Sequence, residues 1–278
     1  AEYLGVEHKV HIKNRILDST APANEPLDEP YRAACYYYDA LKFARDCGIQ
    51  HVFDGLGVDE FFGGYGFRYE KVLQLINNGC SRVESYLKGA HPNDYVDSDE
   101  MFGQKLKEVE INWNNLFPFF GNNGLSTLEQ IFIADYNAKC RQNFIPLARL
   151  ESKLGLRIYY PWLADKLIDF SLRVPSELKY DPTSGRTKIL FRKAVEDLVP
   201  PATLKKPKQG FGPSLGQVMD ELRPLLEGSV LDGLLVSSGY LDRSYYETAI
   251  EADSPSTVQI NKCWDAFTLE TFLQRVCI

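Results

Sequence analysis

The sequence lacks the features of a membrane or secreted protein. It has no run of about 18 apolar residues, the length that a membrane-spanning helix needs. Residues 1–5 have neither the basic start nor the apolar stretch of a signal peptide. We therefore expect a cytoplasmic protein that has no membrane partner.

Clustered metal ligands and surplus positive charge are also missing. The six cysteines are scattered without a C-x-x-C pair, and all four histidines fall in the first third of the chain. A structural zinc site needs clustered ligands, so these cysteines are interpreted as reduced core residues. A net charge of -7 does not favour general nucleic-acid binding, which uses a basic surface.

What is present near the start of the chain predicts a βαβ unit. Val10 and its neighbours in 8–12 alternate like a strand, and Tyr37, Leu41 and Ala44 recur at helical spacing before a glycine that would end the helix. The short apolar run 49–53 is typical of a buried parallel strand. Strand, helix and strand in this order indicate an α/β fold.

The rest of the chain reads as mainly helical. We predict a partial parallel nucleotide-binding sheet in residues 1–80 and a mostly helical remainder in residues 81–278. The individual predictions are a helix over 61–76, a capping box at 126–129 that opens another, a short strand over 156–160, helices over 163–172 and 189–198, and a last helix that begins near 254.

The segment from Asp54 to Tyr65 is the first candidate for chemistry. A strand leads directly into Gly55 and Gly57, which have no Cβ and allow a ligand to approach the backbone closely. Asp59 follows where a helix begins, and Mg²⁺ prefers one or two carboxylates together with substrate phosphates. The alternative interpretation is structural, with Asp59 capping the helix and the later glycines allowing tight packing.

A lysine-rich loop is the second candidate. Lys205, Lys206 and Lys208 surround a proline and precede two glycines, so an ammonium could be placed against phosphate oxygens. Residues 185–188 add positive charge upstream. Both stretches could equally be solvated surface charge, and only their occurrence together with an acidic glycine turn favours phosphate chemistry.

These segments carry a family resemblance. Asp54–Tyr65 resembles the sequence around D-E-L-F-G-G-Y in the synthetase domain of glutamine-dependent asparagine synthetases, and 204–211 resembles the lysine loop of that family, which ends in K-x-G-F. Residues 155–163 are similar to its G-L-E-V-R-x-P-F-L-D stretch, and 171–179 to the segment that follows. The likeness extends from Glu2 to the final helix.

The resemblance implies a domain that activates a carboxylate with ATP and Mg²⁺, after which ammonia attacks the acyl-adenylate. It implies that Asp59 is the metal ligand, that Lys208 stabilises the triphosphate and its transition state, and that Glu60 is the neighbouring acid, either catalytic or supporting the helix. Asp54, Gly55 and Gly57 fall where the nucleotide is contacted. Lys208 would then return from the helical region to the sheet.

Three departures from the family pattern limit this expectation. The S-G-G-x-D-S pyrophosphate loop is absent and is expected before Ala1. Leu56 stands where the family carries a glutamate, and a leucine cannot move a proton. The N-terminal cysteine of the glutaminase half is also absent, so ammonia is expected from a glutaminase domain in the same or another chain.

The primary hypothesis is therefore an asparagine-synthetase-like amide ligase that activates aspartate or another carboxylate. One alternative is a related adenylating ligase whose acceptor is an amine within the substrate, as in lactam formation or peptide cyclisation. The other is a non-catalytic family member that works as a binding module. Leu56 motivates both alternatives, whereas Asp59 and Lys208 argue for catalysis.

Overall fold

The computed structural model describes residues 2–90, 100–109, 114–121, 124–206 and 210–276. The protein is α/β, with helices predominating around a small parallel sheet. Within the described ranges, none of the helices is both long and apolar enough to cross a membrane. The division into two parts at residue 80 stays a prediction.

The elements of the first half are short helices that flank one strand. In chain order they are α1 (Thr20–Asn24), α2 (Ala34–Asp46), β1 (His51–Phe53), α3 (Val58–Phe61), α4 (Gly66–Asn77), α5 (Arg82–Ala90), α6 (Gln104–Lys107) and α7 (Thr127–Asp135). The predicted capping box is confirmed at the start of α7. The Glu129 amide donates a hydrogen bond to the Ser126 hydroxyl, and the Ser126 amide donates one to the Glu129 carboxylate.

A π-helical turn over Tyr136–Cys140 joins α7 to the second half of the chain. That half contains α8 (Arg141–Leu154), β2 (Arg157–Tyr159), α9 (Asp165–Arg173), β3 (Tyr180–Asp181), β4 (Arg186–Thr187), α10 (Ile189–Ala194), α11 (Pro201–Lys205), α12 (Leu215–Leu226), α13 (Leu234–Ser237), α14 (Arg243–Glu251) and α15 (Thr257–Val276). The predicted short strand and final helix are thus confirmed as β2 and α15.

The parallel sheet of the described chain consists of β1 and β2. Val52 lies opposite Ile158, and the Asp54 amide extends the ladder by donating to the Tyr159 carbonyl at 2.9 Å. The parallel pairing agrees with the prediction, but the predicted burial was wrong. Phe53 is 73% exposed, because strand side chains alternate and only the Val52 side faces the hydrophobic cluster.

Two further predictions from pattern fail. Residues 8–12 form no strand; Val10 and Ile12 are exposed, and alternation without a partner strand gives no hydrogen-bonded ladder. The helix predicted over 61–76 is divided into α3 and α4. Gly63 has a φ of 73° between them, a conformation that glycine adopts easily and that ends an α-helix.

The largest hydrophobic cluster lies where α12 packs against α15 and where α1 and α2 meet them. Cys35 and Cys263 are buried there, and Cys140 is buried in the middle of the chain. All five described cysteines are free, as the sequence predicted. A smaller cluster formed by α8 and the two strands holds β1 and β2 in place.

Candidate active site

The turn after β1 reverses the chain tightly. The Asp54 carboxylate accepts a hydrogen bond from the Leu56 amide at 2.7 Å. Gly57 precedes α3 with a φ of 102°, and a Cβ at this position would lie 2.7 Å from Leu163. Only glycine fits here, so Gly57 has a packing role in this structure. Gly55 has open space around it and is exposed, as close approach of a ligand requires.

Asp59, in the single turn of α3, faces a lysine that sequence reasoning did not select. The Lys188 ammonium lies 2.6 Å from an Asp59 carboxylate oxygen, and their side chains are 21% and 19% exposed. Gly64 closes over the same carboxylate. Its amide donates to the Asp59 main-chain carbonyl at 2.8 Å, and a Cβ on Gly64 would come within 1.9 Å of the carboxylate.

Lys188 is held in an unusual backbone conformation. It follows the β3–β4 hairpin with a φ of 54°, and within the described ranges it is the one non-glycine residue with positive φ. Such conformations cost free energy and concentrate at functional sites. In the sequence, Lys188 was interpreted only as part of the positive charge of residues 185–188. Its position directly before the helix predicted over 189–198 was the available signal that it is held in a fixed place.

Glu60 points away from this pair into the protein interior. It is 2% exposed, and its carboxylate accepts a hydrogen bond from the Tyr65 hydroxyl at 2.6 Å. Burial and the negative charge of Glu60 raise the Tyr65 pKa well above its usual value. The N-cap of α3 is Gly57, and no side chain in the described ranges caps the start of this helix. A catalytic role for Glu60 stays a prediction.

Lys208 lies outside the described residues, but both described flanks of its loop lie near the turn that contains Asp59. On one side, Lys206 lines a recess of about 670 Å³ together with Gly64 and Thr187. On the other, the Phe211 ring packs 5.4 Å from the Tyr37 ring.

Arg192 ties the first flank to the hairpin. Its guanidinium donates to the Thr187 carbonyl at 3.1 Å and also to the Leu204 carbonyl. The arginine thus holds Leu204, which precedes Lys205, next to Thr187, which precedes Lys188.

Tyr37, which contacts Phe211 on the second flank, lies close to the turn that contains Asp54 and Glu60. Burial, together with the nearby negative charges of Asp54 and Glu60, raises the pKa of its hydroxyl to about 12.

The metal-binding capacity of this region depends on one carboxylate. No group of three His, Cys, Asp or Glu side chains that could hold a metal converges within the described parts of the chain. Mg²⁺ in phosphate chemistry takes one or two carboxylates, with phosphates and waters as its other ligands. The partly exposed Asp59 carboxylate, already facing a cation, fits that limited role.

Leu56, Tyr37 and Tyr160 form an apolar wall beside the turn. All three pack against the cluster of α8 and the two strands. The Tyr160 hydroxyl is buried, and burial followed by the charge of Asp54 raises its pKa above the usual range. Leu56 thus presents hydrocarbon at the position where the family motif has an acid.

The fold and the site together define an α/β protein with an acid–lysine pair at the carboxyl end of a parallel strand. The chain matches the family described as "Asparagine synthase" over residues 1–274, and it belongs to that family. It is 23% identical over 286 residues to "Asparagine synthetase [glutamine-hydrolyzing] 1" of Bacillus subtilis (strain 168). That match covers 89% of this chain and 44% of the relative, so the chain spans less than half the length of the protein that it matches.

Proposed function

We propose that this chain is the carboxylate-activating part of an ATP-dependent amide ligase, with aspartate as the first candidate substrate. The carboxylate oxygen attacks the α-phosphorus of ATP, and pyrophosphate leaves with the electron pair of the broken bond. Ammonia then attacks the acyl carbon and releases AMP. Family membership supports a ligase of the synthetase type. The observation that carries the proposal is the Asp59–Lys188 pair at the end of β1.

Each side chain has a role that follows from its charge and position. Asp59 would hold Mg²⁺, whose positive charge would offset the negative charge of the triphosphate. The Lys188 ammonium lies 2.6 Å from the Asp59 carboxylate, so it would be close to a triphosphate bound at that carboxylate. Positive charge placed where negative charge grows stabilises the transition state. Lys208 is proposed to add a second ammonium, because both flanks of its loop lie beside this turn.

The turn itself is proposed to receive the nucleotide. Gly55 is exposed with open space around the position of a Cβ, so the backbone of Asp54 and Gly55 can contact a ligand directly. Gly57 supports this turn from within, since its left-handed conformation starts α3 and its contact with Leu163 leaves no room for a side chain. Adenylate binding at this point is part of the proposal.

The source and identity of the nucleophile remain part of the same proposal. The Bacillus relative is named as glutamine-hydrolysing, which supports a glutaminase domain as the supplier of ammonia. The second candidate function has an amine within the substrate as the acceptor. The apolar wall of Leu56, Tyr37 and Tyr160 motivates it, because hydrocarbon replaces the glutamate of the family motif and so changes the surroundings of the acceptor. Whether ammonia or an amine attacks, the proton that the nitrogen then loses must go to a group other than Leu56.

The experiment is ATP–pyrophosphate exchange in the full-length protein that carries this chain, with aspartate and Mg²⁺. We expect exchange in the wild type and its loss in Asp59→Asn. The matched control is Asp169→Asn, since Asp169 is a surface carboxylate that pairs with Arg173. Absence of exchange in the wild type with every carboxylate offered would contradict ligase activity and favour a binding module.

A product assay separates the two acceptors. The same protein is given aspartate, ATP and ¹⁵N-labelled ammonium, and the products are weighed by mass spectrometry. Labelled asparagine at an ordinary enzyme rate supports ammonia as acceptor. Aspartate-dependent exchange without labelled asparagine supports an amine acceptor, and Leu56→Glu is then the variant expected to gain asparagine formation.

A further inference from the structure

Glu60 is chemically isolated from the site surface. Its side chain is almost fully buried, while the adjacent Asp59 remains partly exposed. Neighbouring residues in a helical turn are rotated by about 100°, so the two carboxylates point in different directions. A group that transfers a proton must come within hydrogen-bond distance of the reacting atom, directly or through one water. The carboxylate of Glu60 instead accepts a hydrogen bond from the Tyr65 hydroxyl at 2.6 Å.

The segment from Asp59 to Tyr65 is closed at both ends. The Gly64 amide donates to the Asp59 carbonyl at 2.8 Å, and the Tyr65 side chain returns to Glu60. The two bonds thus join Asp59 and Glu60, at the start of the segment, to Gly64 and Tyr65 at its end. They fix how far α3 can rotate about its axis, and that rotation sets the direction of the Asp59 carboxylate.

Packing from outside holds this closed segment. The Tyr65 ring has the Arg68 guanidinium 4.5 Å from its centre and the Lys139 ammonium at 5.2 Å. Cations near an aromatic ring attract its π electrons. The Phe61 ring lies 5.3 Å from that of Tyr136, which shares the π-helical turn with Lys139. Such turns often occur at functional sites, and this one packs on both ends of the segment.

We infer that Glu60 and Tyr65 form a positioning pair that orients the Asp59 carboxylate, and that Glu60 acts by accepting a hydrogen bond. This inference rests on the proposed function for the role of Asp59. The pair itself is a property of the fold. Asp59 and Glu60 then both have a function: Asp59 is the proposed metal ligand, and Glu60 positions it. The sequence alone leaves the role of Glu60 open between catalysis and support.

The test uses two nearly isosteric substitutions in the full-length protein. Glu60→Gln keeps a carbonyl oxygen that can accept a hydrogen bond from the Tyr65 hydroxyl. Tyr65→Phe removes that hydroxyl, so the buried Glu60 carboxylate loses this hydrogen-bond donor. The matched control is Tyr86→Phe. The Tyr86 hydroxyl donates to the buried Asp135 carboxylate at 2.8 Å, so this change breaks the same kind of bond outside the proposed site.

The first readout needs no activity. Hydrogen–deuterium exchange of peptides covering residues 59–65 is expected to quicken about tenfold in Tyr65→Phe and to stay within about twofold in Glu60→Gln and Tyr86→Phe. The second readout is the Mg²⁺ concentration that half-saturates ATP–pyrophosphate exchange. It is expected to rise about tenfold in Tyr65→Phe only, since misdirection of one ligand weakens the metal site.

Two results would overturn the inference. One is a Glu60→Gln protein without exchange activity beside a Tyr65→Phe protein at the wild-type rate, which would make Glu60 a proton-transfer group. The other is unchanged deuterium uptake over residues 59–65 in Tyr65→Phe. If the wild type lacks pyrophosphate exchange altogether, the proposed function fails, and deuterium uptake alone decides whether the pair orders this segment.

Discussion

Gly64 gives the sharpest single perturbation, because its missing side chain leaves room for the Asp59 carboxylate. A Cβ at position 64 would lie 1.9 Å from a carboxylate oxygen, 2.6 Å from its carbon and 2.8 Å from the Asp59 Cα. Real Cβ atoms approach other heavy atoms no closer than 3.0 Å, so Gly64→Ala displaces the carboxylate by about 1 Å. Contact with the Cα means that rotation of the side chain alone does not relieve the clash.

The expected cost follows from that displacement. Misplacing a group at a reaction centre by about 1 Å lowers the rate by about 10²-fold, equivalent to about 2.7 kcal/mol of activation free energy. Overpacking lowers the free energy of unfolding by about 1–3 kcal/mol. Both are measured on the full-length protein, by ATP–pyrophosphate exchange and by denaturant unfolding.

The matched control is Gly228→Ala, where nothing lies within 4 Å of the added Cβ. It should leave the exchange rate within about twofold and stability within about 0.5 kcal/mol. A folded Gly64→Ala protein that keeps the wild-type exchange rate and Mg²⁺ dependence would show that activity does not require the observed position of the Asp59 carboxylate.

The remaining predictions concern three other positions. Lys188→Met is expected to lower pyrophosphate exchange by about 10²-fold, since it removes the ammonium 2.6 Å from Asp59; the control is Lys193→Met, an exposed lysine in the next helix, which should keep the rate. Gly55→Ala meets no atom within 4 Å, so isothermal titration should show weaker ATP binding while the unfolding midpoint stays constant. Burial lowers the pKa of Lys179 to about 8, so at this group the unfolded chain binds more protons between about pH 8 and 10, and its contribution to stability rises with pH. Burial raises the pKa of the Cys35, Cys140 and Cys263 thiols, which lowers stability over this range in the wild type and in Lys179→Met alike. The change in the free energy of unfolding from pH 7.5 to 9.5, measured by guanidinium unfolding, should therefore be more positive in the wild type than in Lys179→Met; equal changes would contradict the lowered pKa.

Local signals predicted those elements whose causes are local. The capping box at Ser126 fixed the start of α7, and the regular apolar spacing of Ile260, Cys263 and Trp264 identified α15. The alternation at Val10 failed because a strand needs a partner, which a local pattern does not supply.

For the same reason, only part of the candidate site could be proposed from the sequence. Asp59 and its glycines lie in one contiguous segment, and a contiguous segment can be read from the sequence. The pairing of Asp59 with Lys188 joins residues 129 positions apart through the left-handed turn after the β3–β4 hairpin, and no local pattern specifies that contact. The burial of Glu60 likewise depends on Tyr65 and on the π-helical turn of Tyr136–Cys140.

The central claim is that Asp59 and Lys208 act on the same metal-bound triphosphate. Its most direct test is a crystal structure of the full-length protein with Mn²⁺ and a non-hydrolysable ATP analogue, with the metal located by anomalous scattering. We expect Mn²⁺ on the Asp59 carboxylate, with the Lys188 and Lys208 ammoniums about 2.7–3.2 Å from phosphate oxygens. A triphosphate bound away from Asp59, or a Lys208 side chain directed into another cleft, would contradict this claim.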